Sequence, residues 1–205
     1  MFLKVCGITR LTDGLHAVSE GATALGFVFW PRSPRYVTPE RAAEIIAELP
    51  ATVMPIGVFV NEPVDAIQAI AGQAGLRAVQ LHGDEPPAYE DALPWPIFRA
   101  VTLENAADAC TAWTPAATLL LDAADPERRG GTGVTVDWLG AAELARRRRV
   151  VLAGGLTPAN VGEAIGIVQP YGVDVSSGVE ESPGVKDFTK VSKFLAGARE
   201  AFERR

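Results

Sequence analysis

Cysteine and histidine are scarce in this 205-residue chain, which holds two of each: Cys6, Cys110, His16 and His82. Two cysteines make no framework of the kind that staples small secreted scaffolds, and the expectation is a cytosolic protein. The two histidines stand in no spaced pattern with other ligands, so no metal site is expected. Cations are not in excess either. Lys and Arg number 19 against 25 Asp and Glu, a formal charge of −6, which disfavours nonspecific attraction to nucleic acid or to an anionic membrane. A phosphate ligand stays open, because local dipoles can bind one without basic side chains. No uncharged stretch reaches the roughly 18 residues of a membrane span, and Lys4 interrupts the apolar start MFLKVCGIT, so no targeting segment is read there. Linkers and low-complexity segments are also missing. What is present is 48% hydrophobic and 21% charged, the composition of a folded globular protein. The length suits a single domain over 1–205.

Short apolar runs recur along the chain at 2–6, 24–29, 54–60, 78–82, 97–101, 118–122, 150–154 and 173–177. Between them, segments at 39–49, 64–75, 104–113, 137–147, 158–168 and 187–202 place apolar residues three and four apart, the spacing of a helix with one buried face. The intervals 10–20 and 85–93 can each hold two or three further turns. Thr38 before Pro39 and Thr157 before Pro158 read as an N-cap followed by a first-turn proline, and Asp137 and Asp187 read as caps. The arginine run 146–149 reads as a solvated helix end, where cations complement the dipole. Strands that are apolar nearly throughout are buried on both faces, as in parallel sheets. Eight βα units predict a closed (β/α)8 TIM barrel, of class α/β. An open doubly wound sheet is the alternative, but its G-x-G-x-x-G fingerprint after the first strand is absent.

In such a barrel the chemistry sits at the C-terminal ends of the strands. Cys6 ends the first run, either as a small buried hydrophobe or as a thiolate base. As a base its pKa is expected to be lowered by helix N-termini that point at the rim. Asp122 follows Leu119, Leu120 and Leu121 and is either a cap for the next loop or a general acid whose pKa rises at a partly dry barrel mouth. The glycine-bearing loops LAGGLTPANV (152–161) and DVSSGVE (174–180) are turn glycines or, with their exposed amides, a phosphate site after strands seven and eight. GGTG (130–133) lies in a long loop, read as a lid or as a flexible surface segment. Arg35 is a surface cation or the partner of a substrate carboxylate, His82 is site-lining or structural, and Cys110, mid-helix, is core.

KVCGIT (4–9), GFVFWPRSPRYVTPERA (26–42), IGVFVNE (56–62), VQLHGDE (79–85), LLLDA (119–123) with GGTGVTVDW (130–138), LAGGLTPANV and DVSSGVEESPGVKD (174–187) together resemble the phosphoribosylanthranilate isomerases of tryptophan biosynthesis. The resemblance touches seven of the eight strands in order. Two residues depart from it: Arg32 stands where lysine is frequent, and Trp30 precedes Pro31. It implies a cofactor-free Amadori rearrangement of N-(5′-phosphoribosyl)anthranilate to 1-(2-carboxyphenylamino)-1-deoxyribulose 5-phosphate. Under it Asp122 protonates the ribose ring oxygen, Cys6 takes the proton from the sugar C2, and Arg35 holds the anthranilate carboxylate. The remaining substrate contacts would be His82, Gly154, Gly155, Asp174, Ser176, Ser177 and Gly178. The partner is then a small-molecule substrate, with neither nucleic acid nor membrane involved, and the chain is a monomer or a homodimer.

Three other functions fit the same scaffold less well. A metal-dependent epimerase would need His and Asp at several strand ends, and a Schiff-base aldolase would need a strand-end lysine, whereas Lys4 comes too early in its strand. A non-catalytic phosphate-ligand binder would tolerate loss of the thiol.

Overall fold

The computed structural model describes residues 1–123 and 137–205; GGTG (130–133) lies outside them. Eight parallel strands close into a barrel in chain order: β1 (Phe2–Cys6), β2 (Ala24–Val28), β3 (Met54–Phe59), β4 (Ala78–Leu81), β5 (Ile97–Val101), β6 (Thr118–Leu121), β7 (Val150–Leu152) and β8 (Gly172–Val175). Pairing of β8 with β1, Gly172 against Phe2 through Val175 against Val5, completes the ring. The helices are α1 (Leu11–Ser19), α2 (Pro39–Ala47), α3 (Val64–Ala74), α4 (Tyr89–Ala92), α5 (Ala106–Ala112), α6 (Trp138–Ala145), α7 (Val161–Val168) and α8 (Phe188–Glu203). The expected TIM barrel is therefore the observed fold. No helix among the described residues is long and apolar enough to cross a membrane.

Side chains alternate across each strand, and the barrel sorts its core by that alternation. Leu3 and Val5 of β1, Leu119 and Leu121 of β6, and Val173 and Val175 of β8 pack outward with the helices. Phe2, Ala24, Ile56, Ala78, Phe98, Leu120 and Val151 fill the barrel interior. The inward column of β1 thus reads Phe2, Lys4, Cys6. Continued one residue past the strand end, the columns of β4 and β6 bring His82 and Asp122 to the same rim as Cys6.

Three helix starts follow their capping chemistry. Thr38 accepts from the amide of Arg41, Asp137 from Leu139 and Asp187 from Lys190. The Thr157–Pro158 expectation does not hold. Residues 157–160 form a separate turn, the α7 helix starts at Val161 with Asn160 at its N-cap position, and the Asn160 side chain accepts from Thr157 N at 2.7 Å and donates to Gly155 O at 3.0 Å. The asparagine ties the turn to the glycine loop before it. Within the arginine run Arg146, Arg147 and Arg149 are exposed just past the end of the α6 helix, as read, whereas Arg148 donates to the carbonyls of Cys110, Trp113, Thr114 and Ala117 and so closes the C-terminal side of the α5 helix. Cys110, expected in the core, is instead half-buried and packed against its edge.

One element was not foreseen. A short antiparallel hairpin, β9 (Glu180–Ser182) and β10 (Val185–Lys186), follows a 3-10 turn at Ser177–Val179. It folds over the rim beside the β1 end.

Candidate active site

A cleft of about 930 Å³ opens at the C-terminal rim, and it gathers Cys6, Arg35, Gln80, His82, Asp122, Gly154, Gly155, Asp174, Ser176, Ser177 and Gly178. All ten residues singled out in the sequence line this one cavity. They come from the ends of six different strands.

On one wall, Nε2 of His82 lies 3.5 Å from Oδ2 of Asp122, and both side chains are mostly sheltered. The other ring nitrogen, Nδ1, is 2.8 Å from Nε2 of Gln80, two residues earlier on the same inward column. Oδ1 of Asp122 accepts from the amide of Ala123 at 2.8 Å. The carboxylate thus has one oxygen engaged by backbone and the other near an imidazole whose orientation is fixed from below.

On the opposite wall, Cys6 is buried at 8% exposure in a small cluster with Val28 and Val58. Burial pushes its thiol pKa up, against the pull of Lys4; Asp174 adds to the rise, and Lys186 opposes it. The expectation of a lowered thiol pKa is therefore overturned, because desolvation outweighs the positive groups around the sulfur. Lys4, directly below on the inward column, is fully buried and pairs with Asp174 at 2.7 Å. Burial works against its charge, but the ion pair and the neighbouring thiol hold its pKa above the ordinary lysine value.

Arg35 reaches into the cleft from the loop after β2 and makes a two-pronged pair with Glu180, Nε to Oε1 at 2.9 Å and a terminal nitrogen to Oε2 at 2.7 Å. Glu180 also receives Lys186 at 2.8 Å. Burial would raise the Glu180 pKa, yet Arg35 and Lys186 hold it below the ordinary carboxylate range. Lys186 further donates to the carbonyl oxygens of Cys6 at 2.6 Å and Ser176 at 3.3 Å, pinning the ends of β1 and β8 to the hairpin.

The two glycine loops meet at the third side of the cleft. Gly154 and Gly155 both take positive φ, 72° and 66°, a conformation open to glycine at little cost. Gly178 packs so closely on the Leu156 carbonyl that a β-carbon there would strike it. The first amides of the Ser177–Val179 turn have no acceptor within their own turn. Gly154, Gly155, Ser177 and Gly178 of the two loops line the same cleft.

Sequence reasoning missed Lys4, Gln80, Glu180 and Lys186. For Lys4 the signal was present, a lysine inside a strand otherwise apolar on both faces, but it was read as interrupting an apolar run and as lying too early in its strand for Schiff-base chemistry. Gln80 carries the same signal in β4. Glu180 and Lys186 depend on a hairpin too short to show a period. Among the described residues no cluster of His, Cys, Asp and Glu could hold a metal ion.

The family described as N-(5′-phosphoribosyl)anthranilate (PRA) isomerase matches residues 3–196. The chain belongs to this family. A PRA isomerase of Pelobacter propionicus is 49% identical over 200 residues, covering 97% of this chain and 95% of that one. The PRA isomerase of Geobacter sulfurreducens is 48% identical over 199 residues, with 96% and 98% covered. Among solved structures, the PRA isomerase of Thermotoga maritima superposes with a TM-score of 0.89 at 42% identity, covering 98% of this chain and 99% of that one. A PRA isomerase in complex with reduced 1-(o-carboxyphenylamino)-1-deoxyribulose 5-phosphate matches with a TM-score of 0.85 at 40% identity and the same coverage. The isomerase reading and the barrel thus agree with the relatives along nearly the whole chain.

Proposed function

We propose that this chain converts N-(5′-phosphoribosyl)anthranilate into 1-(2-carboxyphenylamino)-1-deoxyribulose 5-phosphate, with Asp122 as general acid and Cys6 as general base. The observation that carries the reading is the placement of a carboxyl and a thiol in one cleft that the glycine loops at Gly154–Gly155 and Ser177–Gly178 also line. The related isomerase holding a reduced product-like ligand supports the same substrate class.

The chemistry follows from that placement. Asp122 donates its proton to the ribose ring oxygen, the C1–O bond breaks, and the anilino nitrogen supplies the electron pair that makes the C1 iminium. The positive nitrogen acidifies the C2 proton. Cys6 as thiolate takes that proton and becomes a thiol, and the C2–H electron pair moves into the C1–C2 bond to give an enolamine, which tautomerises to the ketose. Two positioned proton transfers replace any need for a redox step. The phosphate sits on the amides near Gly154, Gly155, Ser177 and Gly178, where partial positive charge is available without a basic side chain. Arg35 meets the anthranilate carboxylate by exchanging part of its pairing with Glu180, and Asp174 and Ser176 contact the sugar.

The test is to supply freshly prepared phosphoribosylanthranilate to the purified protein, without added metal or cofactor, and to follow its fluorescence. Loss well above the uncatalysed rate is expected. A rate equal to the blank rejects the function.

A further inference from the structure

The buried cation beneath the thiol is not used by the reaction as drawn. Lys4 is among the largest fully buried side chains of the protein, and a buried ammonium persists only when paired and hydrogen-bonded. Among the described residues its salt-bridge partner is Asp174, across the β1–β8 seam where the strand register sets the two residues opposite each other. Cys6 stands two residues further along the same inward column, and a negative sulfur there attracts the same ammonium. Gly26 of β2 shows how closely these groups are gathered: a β-carbon built on it would lie 2.6 Å from the Cys6 sulfur and 3.1 Å from Nζ of Lys4. Glycine in the middle of a buried strand weakens it, and here it leaves the space that sulfur and ammonium share. The other nearby ammonium, on Lys186, spends its donors on Glu180 and on the carbonyls of Cys6 and Ser176. It fixes the backbone at the strand end.

We propose that Lys4, held by Asp174, is a positioning residue for the proposed reaction: its ammonium stabilises the Cys6 thiolate and keeps the sulfur aimed into the cleft. This rests on the reading of Cys6 as the base. Lys4 stays protonated throughout, Asp174 stays a carboxylate, and only the sulfur gains the C2 proton. The charged groups facing the thiol are Lys4 from its own strand, Asp174 from β8, Lys186 from β10 and Arg35 from the loop after β2, the last two tied to Glu180. Of the two lysines, Lys4 is the one whose ammonium borders, with the sulfur, the space left open at Gly26.

The experiment is a direct titration of the thiol by thiolate ultraviolet absorbance in a Cys110→Ser background, which leaves one cysteine and touches nothing in the cleft. Lys4→Met is expected to move the titration upward by about one to three pH units, the range for losing a close opposite charge. The rising limb of its kcat/KM profile should move with it, and Lys4→Arg should restore both in part. Asp174→Asn serves where Lys4→Met fails to fold; by removing the negative neighbour it is expected to move the titration downward. An unchanged titration in Lys4→Met, or an unchanged or upward one in Asp174→Asn, overturns the inference. These results stay separate from the base assignment itself: full turnover in Cys6→Ala would remove the base, whereas an inactive Cys6→Ala beside an unmoved titration removes only the role of Lys4.

Discussion

His82 and Asp122 face each other across 3.5 Å, with Gln80 holding the far side of the imidazole at 2.8 Å. The three residues form a chain from the barrel interior to the rim, and the histidine limits where the carboxyl can swing. Replacing His82 by alanine should lower kcat by about 10- to 100-fold, the penalty for a slightly misplaced catalytic group. Steady-state kinetics decide it, and an unaltered kcat would assign His82 to the cleft lining alone.

Loss of either proposed proton-transfer group should be far more costly. Cys6→Ala and Asp122→Ala are each expected to lower kcat by about two to four decades while the phosphate still anchors substrate. Binding of a reduced product analogue, measured by calorimetry, should survive in both. Wild-type turnover in either variant rejects the role given to that residue.

The pH profile has a definite sign. Burial raises the Cys6 pKa above its ordinary value, with Lys4 opposing the rise, so the thiolate population in the free enzyme grows as pH rises through and beyond the usual thiol range. The kcat/KM should therefore keep climbing on the alkaline side of neutrality, as long as the fold and the acid form of Asp122 persist. A profile already flat at neutral pH would contradict the raised thiol.

Arg35 is predicted to act on binding more than on chemistry. Its removal by Arg35→Ala should raise KM by about tenfold or more, with a smaller change in kcat, since a charge-assisted pair to a carboxylate serves ground state and transition state alike. An analogue lacking the carboxyl should lose the same factor on the intact enzyme and nothing further on the variant.

Glu85 supplies the stability prediction. Its buried carboxylate receives Arg99 at 2.7 Å and the amides of Asn61 and Gly83 at 2.7 and 2.8 Å, bracing the ends of β3 and β4. Glu85→Ala leaves the Arg99 guanidinium buried without its counter-charge and should cost about 3–5 kcal/mol. Denaturant unfolding at neutral pH measures it.

The barrel was legible because its strands are apolar nearly throughout, which only a sheet covered on both sides can use, and because helical spacing fills the intervals. The site was legible for a related reason: once the strands are parallel, every polar residue closing an apolar run lands on one rim, as Cys6, His82 and Asp122 do. Capping chemistry read correctly at Thr38, Asp137 and Asp187 but not at Thr157, where Asn160 competes by bonding both the turn and Gly155. The direction of the Cys6 pKa was misjudged, since dipoles at a rim can be counted from the sequence while desolvation depends on Val28, Val58 and the closed wall around the sulfur. The Lys4–Asp174 pair was hidden because its members are 170 positions apart, and the strand pairing that joins them is not a local property.

That same pair bears on how the chain comes together. During synthesis the first strand emerges long before the last, and until β8 arrives Lys4 has no carboxylate opposite it in an otherwise apolar segment. A fragment ending before Gly172 would have to leave the ammonium in water, which keeps β1 from settling into a closed interior. Ring closure and neutralisation of the lysine are thus one event, and the pocket around the thiol is complete only once the final strand pairs with the first.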